Sequence, residues 1–239
     1  MIINLISGPR NISTALMYSF AQREDTKVLD EPFYAHYLDQ FPELNHPGRA
    51  ETLKSMPIES HQVLEEIHRE ASEHRVLFLK NMAHHHLKLD WEYMQEFKNV
   101  FLIRNPKQLI ASFAQVIEHP TLQDIGLKEE LELYEYTLIN CKHLPIVVES
   151  ATILQDPEKG LELLCQQIGI PFTRGMLTWK KGGIPEDGVW AKYWYKNVQN
   201  SEGFVKQSTS DRALPEQCLQ LYELALPYYE KLMTKAIQL

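Results

Sequence analysis

A doubly wound α/β fold, a parallel sheet with helices on both faces, is what this sequence predicts, and three observations carry it. Short runs of strand character recur along the 239 residues, at 2–6, 26–30, 75–80, 99–104 and 144–149. Segments of helical periodicity stand between them, and strands that alternate with helices pair in parallel through crossovers. The third and fourth runs, built on Val76-Leu77-Phe78-Leu79 and Val100-Phe101-Leu102-Ile103, are continuously apolar, as strands covered on both faces are.

Taken in order, residues 2–6 form a strand, Gly8-Pro9 a turn, and 14–22 a helix with Leu16, Met17 and Phe20 on one side. The strand at 26–30 runs into Asp30-Glu31-Pro32, where Pro32 stops regular pairing. Carboxylates at that end of a strand sit on the rim where open α/β sheets bind ligands. Residues 34–57, rich in aromatics, His and Pro and without a period, read as a helix turn followed by a substrate-facing loop or lid. Residues 58–73 are amphipathic, with Val63, Ile67 and Ala71 opposite a row of charges. Further helices are expected at about 90–97, at 107–117 behind Pro106, at 127–141, and at 156–168 up to Gly169-Ile170-Pro171. The Gly-, Trp- and Lys-rich stretch 174–211 is too long for an idle connection and is expected to be functional. A last helix, 215–237, carries Pro227 and an expected kink. With no repeat and no linker, residues 1–239 read as one domain.

A net charge of −8 argues against a nucleic-acid-binding surface, so an anionic ligand needs a local basic cluster. Cys141, Cys165 and Cys218 have neither disulfide-framework nor zinc-type spacing and suit a reducing compartment. No apolar run is long enough to span a bilayer, and a strand starting at residue 2 leaves no room for a leader, so a cytoplasmic protein without membrane contact is expected.

Chemistry is expected first at Gly8-Pro9-Arg10-Asn11-Ile12-Ser13-Thr14. A turn that opens a helix presents unpaired N–H groups and the positive end of the helix dipole. The Ser13 and Thr14 hydroxyls add donors and Arg10 adds a full charge, which together suit a phosphate or sulfate. Counted from Gly8, Ser13 and Thr14 occupy the places of the second glycine and the lysine of a Walker A loop, so the lysine that reaches the outer phosphates of ATP is missing. A second anion site is expected where the fourth strand ends at Arg104, with Ser112 about two turns along the helix that Pro106 opens.

Both motifs resemble those of sulfotransferases. Pro9-Arg10-x-x-Ser13-Thr14 is similar to that family's 5′-phosphosulfate loop, with Ile12 where a glycine is usual. Arg104-Asn105-Pro106-Lys107 with Ser112 is similar to its 3′-phosphate motif, in the same order along the chain. Lys180-Lys181-Gly182-Gly183, followed by Gly188-Val189-Trp190, loosely resembles the loop that closes over the nucleotide's 3′ end. The run from Gly8 to Leu38, with Lys80-Asn81-Met82-Ala83-His84-His85, looks like a bacterial sulfotransferase-like branch. The resemblance implies a P-loop NTPase-like three-layer fold, 3′-phosphoadenosine 5′-phosphosulfate (PAPS) as donor, no metal, and a small-molecule acceptor hydroxyl or amine.

Sulfuryl transfer needs a base at the acceptor and a cation where charge develops on the bridging oxygen. The resemblance makes Arg10 that cation, with Lys80 as second choice. For the base, His84, His85 and Glu31 stay open, since the family's Lys-x-His pattern has Met82 in place of the histidine. His36 and Tyr34 are expected in the acceptor pocket, and Trp179 or Trp190 against adenine. Adjacent histidines point in different directions, so His84-His85-His86 is not read as a zinc site. Two other functions remain, a P-loop kinase or NTPase and a non-catalytic nucleotide-binding protein on the same fold; neither the acceptor nor the oligomeric state can be read.

Overall fold

The computed structural model describes residues 1–44, 46–115, 117–204 and 212–238. Its centre is a five-stranded parallel sheet made of β1 (Ile2–Ser7), β2 (Thr26–Asp30), β3 (Val76–Met82), β4 (Lys98–Ile103) and β5 (Ile146–Glu149), in the order β2-β3-β1-β4-β5. The chain winds from β1 out to β2, returns through β3, and crosses β1 to reach β4 and β5. The crevice at the carboxyl ends of β1, β3 and β4 is therefore a topological switch point, where such sheets bind ligands. Register brings the strand tips level there, with Ser7 opposite both Met82 and Leu102, and Asp30 opposite Lys80.

Side chains alternate along each strand and supply two core layers. Ile3, Leu5, Val28, Phe78, Val100, Leu102 and Val148 face one way. They meet Leu16, Met17 and Phe20 of α1 (Ser13–Phe20) and, far along the chain, Leu161, Leu164 and Ile168 of α9 (Pro157–Ile168). Leu77, Leu79, Phe101, Ile103 and Val147 face the other way, towards α4 (Ser60–Glu73), α7 (Leu127–Asn140) and α12 (Leu219–Met233). Three buried asparagines cross the central strands as a hydrogen-bonded rung: Asn81 donates to Asn4 at 2.9 Å and Asn4 to Asn99 at 3.0 Å. Buried amides in mutual contact satisfy one another and pin the register of β3, β1 and β4.

Several elements differ from their expected form. Residues 34–57 contain two helices, α2 (Tyr34–Gln40) and α3 (Arg49–Ser55); α2 buries Tyr34 to Leu38, while most of the rest is partly or fully exposed, and His46 and Pro47 between the helices line a cavity. The helix expected at 90–97 is a 3₁₀ turn at Trp91–Glu96. α5 (Pro106–Phe113) ends before 117, and α6 (Leu122–Ile125) follows with a Thr121–Asp124 capping box. β5 begins at Ile146 because Pro145 cannot donate to the ladder. α8 (Ser150–Gln155) precedes α9, and the stretch from 174 holds α10 (Ala191–Trp194) and α11 (Lys196–Gln199) between turns. α12 starts at Leu219, after a 3₁₀ turn, and continues through Pro227. Among the described residues no helix is long and apolar enough to cross a membrane.

Candidate functional site

The turn after β1 is held from three sides. A Cβ on Gly8 would lie 2.3 Å from the Ile125 carbonyl oxygen, so only glycine fits. Asn11 donates to the Leu102 carbonyl of β4 at 2.6 Å and accepts from the Ile12 N–H at 3.0 Å. Arg10 adopts φ 56°, a left-handed conformation that costs energy for a side chain with a Cβ and is stored at functional sites. The strain turns the guanidinium towards α5, where Nε donates to the Ser112 hydroxyl at 3.2 Å. Arg104, just past β4, donates to the Arg10 carbonyl at 2.5 Å. Ile12 opens α1 without a side-chain cap, which leaves the first N–H groups of that helix to a ligand.

Arg10, Asn11, Ile12, Thr14, Arg104 and Ser112 line a cavity of about 520 Å³ that also takes in Trp194, Tyr195, Phe204 and Arg212, while Pro9 and Ser13 line the neighbouring smaller cavity. Burial, then the Arg212 charge, depresses the Arg10 guanidinium below its ordinary pKa. Arg104 is depressed by burial, then by Arg10, against a pull from Glu149 that exceeds the small further push from Arg212. Arg10 and Arg104 each hold their proton less tightly for burial and neighbouring positive charge, which makes a site that an anion stabilises. Both sequence motifs meet here. Arg212 is new: a solitary arginine beyond the last strand has no motif around it.

Lys180, Lys181 and Gly182 are not in this wall. All three are exposed, Lys181 pairs with Glu202 at 3.6 Å, and the Gly182 N–H donates to the Gln199 carbonyl at 2.9 Å. Their turn is fastened to the far side of α1, because the Tyr18 hydroxyl donates to Asp187 at 2.6 Å and Gln199 donates to it at 3.0 Å. Trp179 and Trp190, 5% and 3% exposed, are core side chains and not stacking platforms for a base. Trp194, Tyr195 and Phe204 are the aromatic residues that line this cavity.

A second cavity, of about 170 Å³, opens on the other side of the same loop. Arg10, Asn11, Thr14, Trp194 and Tyr195 border both cavities. Tyr34, Met82, His84, His85, Phe113 and Asp124 complete much of the wall, with Glu31 and Lys80. His36 is elsewhere: its Nδ1 is bonded to the Ile58 carbonyl at 2.8 Å.

Glu31 and Lys80 belong to a buried charge cluster. The Lys80 ammonium, 1% exposed, lies 3.3 Å from Asp30 Oδ1, donates to the Tyr195 hydroxyl at 2.6 Å and pairs closely with Glu31 Oε1. Tyr195 also accepts from Trp190 Nε1 at 3.0 Å and donates to Asp30 at 2.8 Å. The Gly188 N–H donates to the second Asp30 oxygen at 3.0 Å. Burial alone would lower Lys80, but Asp30 and Glu31 outweigh it and hold the ammonium charged. Burial pushes the Glu31 carboxyl up, with a further push from Asp30, against the pull of Lys80. Glu31 has φ 47°, and its N–H donates to the Lys80 carbonyl at 2.7 Å, so a strained backbone is locked at the cluster.

His84 and His85 follow β3 in a 3₁₀ turn, Ala83–His86, in which all four residues are buried. Burial pushes His84 down to about 3 and His85 well below its usual range. Both rings are neutral at pH 7 and weakly basic. His85 stacks on Tyr34 with centroids 4.6 Å apart, and its Nδ1 is 3.8 Å from Glu31 Oε2, beyond a hydrogen bond.

Comparison with known proteins gives one family. A family profile described as a sulfotransferase domain matches residues 1–236. Two Arabidopsis thaliana proteins, branched-chain-amino-acid aminotransferase-like proteins 1 and 2, are 38% and 36% identical over 229 and 232 residues. The matches cover 95% and 93% of this chain but 41% of each relative, so the chain spans about two fifths of their length. The sulfotransferase domain of the Synechococcus PCC 7002 olefin synthase shares the fold, with a TM-score of 0.58, 19% identity and 94% of both chains covered. So does a sulfotransferase from Alicyclobacillus acidocaldarius, with a TM-score of 0.52, 12% identity, and 98% of this chain and 95% of the other covered. By the family profile that spans almost its whole length, this chain belongs to the sulfotransferase domain family.

Proposed function

We propose that this sulfotransferase takes its sulfuryl group from PAPS and delivers it to a hydroxyl or amine of a small acceptor. The observation that carries this reading is the pair of cavities meeting at Arg10: one lined by Arg10, Arg104 and Arg212, the other by Glu31, Lys80 and aromatic rings. In this reading the α1 amides with Ser13, Thr14 and Arg10 hold the 5′-phosphosulfate. Arg104 and Ser112 hold the 3′-phosphate, with Arg212 at the margin. The cavity's mutually repelling cations suit a ligand with anionic groups at both ends of a ribose.

The acceptor oxygen attacks sulfur as the S–O bond to the 5′-phosphate breaks, and the electron pair leaves on the phosphate oxygen. Arg10 stabilises that developing charge. Glu31 takes the acceptor proton: a carboxylate raised by burial is better matched to neutral pH than an imidazole near 3. Lys80 orients Glu31 through its buried ion pair, and Tyr195 orients Lys80. His84 and His85 shape the pocket as neutral rings.

The deciding experiment is thermal denaturation with adenosine 3′,5′-bisphosphate against ATP with Mg²⁺. The bisphosphate is expected to raise Tm, because it binds the native state, and ATP to do much less. Equal shifts, or a larger one with ATP, would return the chain to the kinase reading. A bisphosphate shift without turnover on any alcohol, phenol or amine would favour a non-catalytic nucleotide-binding role.

A further inference from the structure

We propose that the acceptor cavity selects a small hydroxyl compound that also carries an amine, charged at neutral pH. The inference rests on the donor assignment above and concerns the other side of the same loop. Among the described residues, the cavity's one carboxylate outside the buried Lys80 cluster is Asp124. Lys80 is enclosed by Asp30, Glu31 and Tyr195 and offers no free cation. His46, His84 and His85 are held neutral at pH 7 by burial. Arg10 is turned to the donor side, on Ser112. Of the two carboxylates in the lining, Glu31 in the floor is already paired with Lys80, whereas Asp124 in the wall forms no ion pair within 4.0 Å among the described residues.

Asp124 is positioned rather than merely nearby. Its Oδ2 accepts from the Thr121 N–H and hydroxyl, both at 2.7 Å, which fixes the carboxylate at the head of α6. The next residue, Ile125, sets its carbonyl against Gly8, so α6 is packed on the donor loop itself. Phe113 and Trp194 also line the cavity, and aromatic rings attract an ammonium through their quadrupoles. An anionic acceptor would meet the Asp124 carboxylate, with Lys80 already paired and Arg10 engaged by the donor. The hydroxyl of the selected acceptor faces Glu31 and Arg10 while its ammonium lies towards Asp124. In the transfer, the O–H oxygen bonds to sulfur, the donor's S–O bond breaks with its electrons on the phosphate oxygen, and the proton passes to Glu31. The product is a sulfate ester that still carries the ammonium.

The test uses three phenols of similar size: tyramine (cationic), 4-ethylphenol (neutral) and 4-hydroxyphenylacetate (anionic). Calorimetry first establishes binding of adenosine 3′,5′-bisphosphate alone; its absence would sink the donor reading and not reach this one. Each phenol is then titrated into the bisphosphate-loaded protein. Tyramine is expected to bind about 10-fold tighter than 4-ethylphenol, and 4-hydroxyphenylacetate weakest. Asp124→Asn, which keeps an acceptor for the Thr121 cap, is expected to bring tyramine and 4-ethylphenol to within about 2-fold, with bisphosphate binding as the folding control. The proposal is overturned if tyramine binds no tighter than 4-ethylphenol, if no phenol binds the loaded protein, or if the preference survives Asp124→Asn.

Discussion

The two cavities that share Arg10 handle charge in opposite ways. On the donor side Arg10, Arg104 and Arg212 repel one another, and none of them forms an ion pair with a carboxylate of the described residues within 4.0 Å. On the acceptor side Lys80 is met by Asp30, Glu31 and Tyr195 inside the protein, and the histidines are neutral. The first arrangement waits for a ligand to complete it. The second is complete within the chain and offers a ligand a finished surface. The internally balanced cluster needs partners from β2, β3 and the α10–α11 junction to meet.

That contrast can be broken most decisively at Glu31. Glu31→Gln is expected to lower turnover by about a hundredfold or more while leaving bisphosphate affinity unchanged. His84→Asn is expected to cost only a few-fold; a larger loss for His84→Asn than for Glu31→Gln would exchange their roles. On the donor side, Arg104→Ala removes a charge-assisted contact worth about 1.5–3 kcal/mol, so affinity for adenosine 3′,5′-bisphosphate should fall roughly 10- to 150-fold. Binding of the 5′-monophosphate should hardly change. Equal losses for both nucleotides would mean that Arg104 does not read the 3′ group. A smaller effect sharpens the wall between them. Arg212→Ala should weaken bisphosphate binding several-fold and reduce its salt dependence, while Lys181→Ala, at an exposed turn, should do neither.

The smallest expected effect is on stability. Burial lowers His86 to about 3, and this ring serves the core through Tyr93, away from both cavities. Its folded pKa lies below its unfolded value, so the unfolded chain binds the extra proton. The stabilisation is full above pH about 6.5 and is lost as pH falls towards about 3. His86→Gln should therefore lower Tm at pH 7 but flatten its fall across that window. A fall as steep as in the parent would place the acid sensitivity elsewhere.

What the sequence disclosed follows from how local each feature is. Arg104 and Ser112 lie within one strand–turn–helix unit, so spacing alone brought them together, and Gly8 to Thr14 is one such unit by itself. The sheet was legible because β3 and β4 are continuously apolar. Tyr195 was not, because its position depends on how a long irregular stretch is pinned by Asp187 and Gly188, and Arg212 was not, because no motif surrounds it. The same pinning misled the reading of Lys180 and Lys181: a basic pair near glycines looks like an anion loop whichever way the turn faces. Trp179, Trp190 and Trp194 are alike in composition, and only packing separates the two core rings from the one that borders the cavities. The three consecutive histidines carried no sign of their burial, which is what removes the basicity that suggested them.

The contact between Gly8 and the Ile125 carbonyl has a consequence for how this protein can change over evolutionary time. The backbone of α6 cannot move without displacing the donor loop, so its path is inherited with the donor. Its side chains are free of that constraint, since the contact is made by a carbonyl. Under the acceptor assignment proposed above, exchange at position 124 would change the acceptor and leave the donor site intact.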